Sequence, residues 1–191
     1  MPRWEAGADT RLVQAAYELS VERGFEEVTV AQIAARAGLT KRTFFRYFTD
    51  KREVLFSGSA DFQASVVSGV ISAPEDVSPI DAVVAALAAA GAELTSLGEG
   101  VRQRQQLIDS STDLQEREMI KVATLTSAIG DALRHRKVRL PAANLTAQAG
   151  MAIFKTAFDS WIRAERPLTF PALMYETLNE LRSAVSPAIV G

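Results

Sequence analysis

The chain has 191 residues, 48% apolar and 23% charged, with a net charge of −2 and no cysteine. That composition supports a packed core and excludes a disordered chain, a disulfide framework and any thiolate metal or redox centre. No apolar run reaches the length of a membrane span and the N-terminus has no apolar signal core, so a soluble protein of the reducing cytoplasm is expected.

The pattern is helical throughout, because no sustained period-two alternation of β-branched residues marks a strand. A first helix is expected from about Thr10 to Arg23, with Leu12, Ala15, Ala16 and Leu19 on one stripe and Gly24 as its stop. A second opens on a capping box, Thr29 with Gln32 three residues on, and turns Val30, Ile33, Ala34 and Ala37 inward before Gly38 ends it. Thr40 then caps a third helix only three residues after the second, the spacing of a helix-turn-helix.

The third helix carries an unusual mixture. Phe44 and Phe48 point one way, a turn apart, and serve as anchors to the first two helices. The opposite arc offers Lys41, Arg42, Thr43, Phe45, Arg46 and Tyr47. Arginine suits bidentate contact with guanine, Thr and Phe suit a thymine methyl, and Tyr and Lys suit phosphates, so this face is read as one that enters a DNA major groove. Charge agrees with that reading. Residues 40–52 hold five basic groups and one acid, whereas 57–191 hold twelve basic groups against fifteen acids, so a positive spot sits on a mildly acidic chain.

Asp50 with Glu53 marks the start of a fourth helix running to about Ser72, before Pro74. Ser78-Pro79 with Asp81 starts a fifth, expected through Leu94 and broken at Gly98-Glu99-Gly100. A short helix follows from Val101 to about Asp109. Thr112 with Gln115 caps another to about His135, Pro141 opens a long one through Trp161, and Pro167 and Pro171 bracket the loop before a last helix, Ala172 to Ala184. The fold class is therefore all-α, with an N-terminal three-helix helix-turn-helix domain at residues 1–56 and a C-terminal helical domain at 57–191.

The stretch GLTKRTFFRYFTDKREVL, with AAYELSVERGFEEVTVAQIAARAG before it, resembles the tetracycline-repressor (TetR) family of bacterial transcriptional regulators over residues 10–56. The remainder is similar in helix number and length and in the segment AFDSWIRAE. The resemblance implies a homodimer of about nine-helix chains, each with a DNA-reading head and a C-terminal small-molecule cavity, acting as a repressor released from a palindromic operator. Carried onto this sequence it places Thr29, Tyr47 and Lys51 on phosphates and Lys41, Arg42, Thr43, Phe45 and Arg46 on bases or adjacent backbone, with Thr40 at the cap. Two departures are Ser20, where the family has a large apolar residue, and an N-terminal arm whose basic group is Arg3 alone. Candidate contacts of a mainly apolar effector are Phe62, Val66, Met119, Phe154, Phe158 and Trp161, with Arg104 as the polar handle for a carboxylate or phosphate. The dimer interface is expected on the last two long helices, at Leu145, Ile153, Ala157, Leu173, Leu178 and Leu181.

Nothing in the sequence assembles an enzyme. The single His135 lies in the basic run Arg134-His135-Arg136-Lys137 at a helix end, where cations favour the dipole, and no metal, nucleophile or nucleotide motif occurs. No cofactor is called for. The competing readings are a constitutive or architectural DNA-binding protein without effector, and a helical enzyme or carrier with an incidental helix-turn-helix.

Overall fold

Helical periodicity is realised along the whole described chain, as nine α-helices and one 3-10 helix without a strand among the described residues. The computed structural model describes residues 7–164 and 168–186, with the side chains of all but 94–97. Arg3, Pro167 and the side chain of Leu94 lie outside the described residues. The elements are α1 (Ala8–Arg23), α2 (Val30–Arg36), α3 (Lys41–Tyr47), the 3-10 helix Arg52–Phe56, α4 (Ser59–Ser72), α5 (Pro79–Ala90), α6 (Ala92–Asp109), α7 (Thr112–His135), α8 (Leu140–Arg163) and α9 (Phe170–Val185). They form two compact units: residues up to Ser59 with Gly100–Ile120, and Ala60–Glu99 with Lys121 onward. The expected boundary after residue 56 lies close to the first of these divisions, but the first unit also takes in 100–120.

Physical need explains that addition. A domain of about 60 residues buries only about 60% of the surface its unfolded chain exposes and is correspondingly marginal. Here Leu12, Leu19, Phe25, Val28, Ile33, Phe44, Phe48 and Phe56 share one core with Leu107, Ile108 and Leu114. Polar links reinforce it: Arg117 meets Asp50 through Nη2 and Glu53 through Nε, each at 2.7 Å, and the Ser111 hydroxyl donates to Glu26. Ser20, buried on α1, turns its hydroxyl back onto the Ala16 carbonyl at 2.6 Å, so the small polar residue is satisfied within its own helix.

Four local expectations need correction. Asp50 does accept the Arg52 and Glu53 amides, yet it starts the 3-10 helix rather than one long helix to Ser72. Val54, Leu55 and Phe56 are all buried, and Gly58, at φ 83°, breaks the backbone before α4. Residues Arg52–Ser72 are long and apolar enough for a membrane span, but they are these two elements, with Val66 and Val70 also in the protein interior. Next, α5 stops at Ala90 rather than running to Leu94, and at its cap Gly91 a Cβ would lie 2.5 Å from the Phe170 ring; Gly98 is a non-helical kink inside α6. Ser111, not Thr112, caps α7, its Oγ accepting the Leu114 amide at 3.4 Å. Finally, Pro171 lies in the first turn of α9, where its missing N–H costs no helical bond.

In the second unit α5, α8 and α9 pack on one another. Gly150 of α8 lets Val83 of α5 approach so closely that any Cβ there would collide with it. Arg182 of α9 reaches back to both Asp81 carboxylate oxygens at 2.7 Å.

Candidate nucleic-acid interface

The helix-turn-helix is built by caps at each end of its turn. Thr29 Oγ1 accepts the Gln32 amide at 3.3 Å while Gln32 Oε1 accepts the Thr29 amide at 2.8 Å. Gly38, at φ 67°, supplies the left-handed turn that lets the Leu39 amide reach the Ala34 carbonyl at 2.8 Å. Thr40 Oγ1 then accepts the Thr43 amide at 3.1 Å and starts α3. The scaffold behind is fixed by Arg36 of α2, whose two terminal nitrogens each lie 2.9 Å from Glu22 of α1, with Glu18 at 3.2 Å. Those bonds hold the carboxyls of Glu22 and Glu18 below the usual range; for Glu18 the Gln14 amide is the largest cause and Arg36 the next. Sequence reasoning passed over this trio. Its residues are eighteen and fourteen apart, beyond any local pattern.

On the outward side, Phe44 is wholly buried and Phe45 half exposed, their rings edge-on with centroids 5.5 Å apart. Lys41 Nζ stands 5.9 Å from the Phe45 ring centre. Arg46 leans over Tyr47, its guanidinium carbon 5.0 Å from the ring centre and Nη2 donating to the phenolic oxygen at 3.2 Å. Thr40, Arg42, Thr43, Phe45 and Arg46 line an open concavity of about 630 Å³. The structure thus puts Thr40 through Tyr47 together on one short, capped helix with its basic groups exposed. Lys51 differs: its ammonium donates to the Phe25 carbonyl at 2.8 Å and sits 4.2 Å from the Phe25 ring centre, so it is engaged within the head.

The expected effector contacts fall in both units. In the second, Phe62, Phe154, Phe158 and Trp161 form a chain of ring contacts with centroids 5.9 to 6.2 Å apart, and Val66 is buried on α4. Phe170, absent from the expected set, joins it at 5.2 Å from Phe154; its place just before Pro171 had marked it as loop. Arg104 and Met119 belong to the first unit. Arg104 Nε donates to the Leu55 carbonyl at 2.8 Å and its guanidinium carbon lies 4.8 Å from the Phe56 ring centre. Burial pushes its pKa down, against the pull of Glu118 and Tyr17. Met119 is exposed on α7. Of the expected interface residues, Ile153, Ala157, Leu173 and Leu178 are buried within the chain's own second unit, which removes them as contact surface, whereas Leu145 (67% exposed) and Leu181 (38%) face outward.

A capped tight turn followed by a short helix with an exposed basic and aromatic face defines a helix-turn-helix DNA-binding protein. Residues 12–57 match the family described as bacterial regulatory proteins, tetR family, and residues 77–186 match the MftR C-terminal domain. The chain belongs to the tetracycline-repressor family of transcriptional regulators. It is 32% identical over 79 residues to the transcriptional regulator TcmR of Streptomyces glaucescens, a match covering 41% of this chain and 35% of TcmR, so it spans about a third of that relative. It is 26% identical over 155 residues to the transcriptional regulator MftR of Mycobacterium tuberculosis, covering 78% of this chain and 77% of MftR. The fold is similar to that of the regulator FadR of Bacillus subtilis, solved in complex with stearoyl-CoA, with a TM-score of 0.64 at 17% identity over 93% of this chain and 99% of that one.

Proposed function

We propose that the protein is a repressor that binds a palindromic operator as a homodimer in the bacterial cytoplasm and leaves it when a mainly apolar small molecule binds. The observation that carries the DNA-binding half is the outward face of α3, where Lys41, Arg42, Phe45 and Arg46 are all exposed on a helix capped by Thr40. Residues 1–56 do the reading, with 100–120 contributing to their core. Thr29 and Tyr47 lie at the phosphate-facing margins. Lys51 stays in the set only as a support of the head.

The effector half rests on the ring cluster of the second unit. Phe62, Phe154, Phe158 and Trp161, in contact ring to ring, with buried Val66, are side chains of the type that ligand cavities use, and a guest would have to part them. Arg104 leaves this set because its Nε is held by the Leu55 carbonyl, and Met119 because it is exposed on α7. Since FadR of Bacillus subtilis holds stearoyl-CoA, long-chain acyl thioesters are the class to try first. Such a ligand releases DNA only by binding the released form more tightly than the bound one.

Genome-wide mapping of binding sites, followed by band shifts with a chain-length series of acyl-CoA, tests both halves. The expected result is one enriched palindrome, released by one length range. An enriched palindrome released by no member of the series overturns the acyl effector; no enriched sequence overturns the operator reading itself.

A further inference from the structure

The two arginines of α3 are four residues apart on the same short helix, and both types suit guanine, yet their surroundings differ. Arg46 is drawn sideways onto Tyr47, stacked at 5.0 Å and bonded to its hydroxyl at 3.2 Å. Arg42 has no hydrogen-bond, ionic or ring partner among the described residues and stands at the wall of the open concavity. A guanidinium already held on an aromatic face must give up that contact to present both donors flat to a base edge; a free one has no such contact to break.

Phe45 is prepared for a different task. Its ring is braced edge-on by buried Phe44 at 5.5 Å and approached by the Lys41 ammonium at 5.9 Å, yet half of it remains exposed. Thr43, two residues earlier, lies on the other flank of the helix, its hydroxyl 3.0 Å from Thr40 Oγ1 in the cap. One exposed apolar ring therefore lies a helical turn from one free guanidinium. Arg42 and Phe45 are three residues apart, about 4.5 Å along the helix axis, which compares with about 3.4 Å between successive bases of a strand.

We infer that α3 divides its work: Arg42 reads a guanine, Phe45 reads the methyl of a thymine one or two steps away, and Arg46 with Tyr47 holds a phosphate. This rests on the DNA-binding reading above and adds to it the base content of the half-site. It also assigns the two arginines different consequences, although by residue type they are equivalent.

The test uses the full chain and altered DNA. A half-site consensus is first selected from random duplexes; failure to enrich any sequence would overturn the DNA-binding reading rather than the division of work. Each thymine of the consensus is then replaced by uracil, and each guanine by 7-deazaguanine, with affinity measured for the wild type, Arg42→Ala, Phe45→Ala and Arg46→Ala. In the wild type one uracil position, next to or one removed from the guanine, is expected to cost about fourfold, the worth of one buried methyl. One deazaguanine position is expected to cost about tenfold. The methyl effect vanishes in Phe45→Ala and the deazaguanine effect in Arg42→Ala. Arg46→Ala weakens consensus and scrambled DNA alike and lowers the salt slope by about one contact. The uracil series on unaltered protein needs no variant to fold. A deazaguanine effect that survives Arg42→Ala and disappears in Arg46→Ala, or a consensus insensitive to uracil at every thymine, overturns the inference.

Discussion

Lys51 is bonded to the Phe25 carbonyl at 2.8 Å and covers the Phe25 ring at 4.2 Å, so it ties the loop after α1 to the segment after α3. Its residue type suits a phosphate, and its position in the sequence, one residue after the Asp50 cap, placed it at the DNA margin. Its neighbours give it a structural task. A lysine that donates to a carbonyl and sits over an aromatic face is worth about 2 kcal/mol to the fold. Lys51→Ala is therefore expected to lower thermal stability by about that amount while leaving the salt slope of DNA binding nearly unchanged. Thermal unfolding together with a salt titration checks this; an unshifted melting curve with a slope reduced by one contact would return Lys51 to the phosphates. Arg104 carries the same lesson, since its Nε is bound to the Leu55 carbonyl and its plane approaches Phe56. In both cases the sequence gives the chemical group, and the contact that occupies it comes from a residue 26 or 49 positions away.

Arg136 shows what a single side chain does for the end of a helix. Its Nη1 donates to the Val70 carbonyl at 3.3 Å and to that of Ala73, and its Nη2 to those of Pro74 at 2.8 Å and Val77 at 3.2 Å. The last turn of any helix leaves carbonyls without partners, and here a guanidinium from the end of α7 satisfies those at the end of α4 and the turn that follows. Arg136→Met keeps the aliphatic stem but strands the carbonyls, with an expected loss of about 2–4 kcal/mol; chemical denaturation reads it directly, and a loss below about 0.5 kcal/mol would show that water replaces the fork. Gly150→Ala is the complementary case. The new Cβ collides with Val83, and α5 and α8 must part, at about 1–3 kcal/mol, seen as a lower melting temperature. Much of the element pattern was legible in the sequence because caps and stops are local: Thr29, Thr40, Ser78, Gly24 and Gly38 act within a few residues of themselves. What was not legible depended on distant neighbours. Position 91 has to be glycine because of Phe170, and Ser111 takes the α7 cap while also bonding Glu26. The α3 face was legible as a set, whereas the difference between Arg42 and Arg46 was not, since it lies in which side chain meets Tyr47.

Each compact unit contains a carboxylate whose ionised form the fold favours. Burial alone would raise the Asp50 pKa, but the amides of Glu53 and Arg52, the Arg52 side chain and the Arg117 charge outweigh it and hold the carboxyl below its usual value. The Ser78 hydroxyl, with Arg182, does the same for Asp81 against a smaller burial effect. A folded-state pKa below the unfolded one contributes stability that is fully present above the unfolded value, near 4, and is lost as pH falls through the folded value. The melting temperature is expected to be level from pH 7 to about 5 and to fall below about 4, with Asp50→Asn less stable at neutral pH and less sensitive to acid. Equal acid sensitivity in Asp50→Asn would remove that carboxylate from the account. Assembly is the remaining property of the whole protein. A palindrome read in two successive major grooves needs two heads about 34–36 Å apart, so a fixed dimer converts two weak half-site contacts into one strong one. In the dimer proposed above, the apolar residues of α8 and α9 that the chain itself leaves uncovered are the candidate surface, among them Leu145 on α8 and Leu181 with Val185 four residues later on α9. Introducing charge there acts on the interface without opening the core. The double variant Leu145→Glu, Leu181→Glu is expected to keep its helical content, sediment as a monomer, and bind a full palindrome no better than a single half-site. A variant that still sediments as a dimer would move the interface away from these faces.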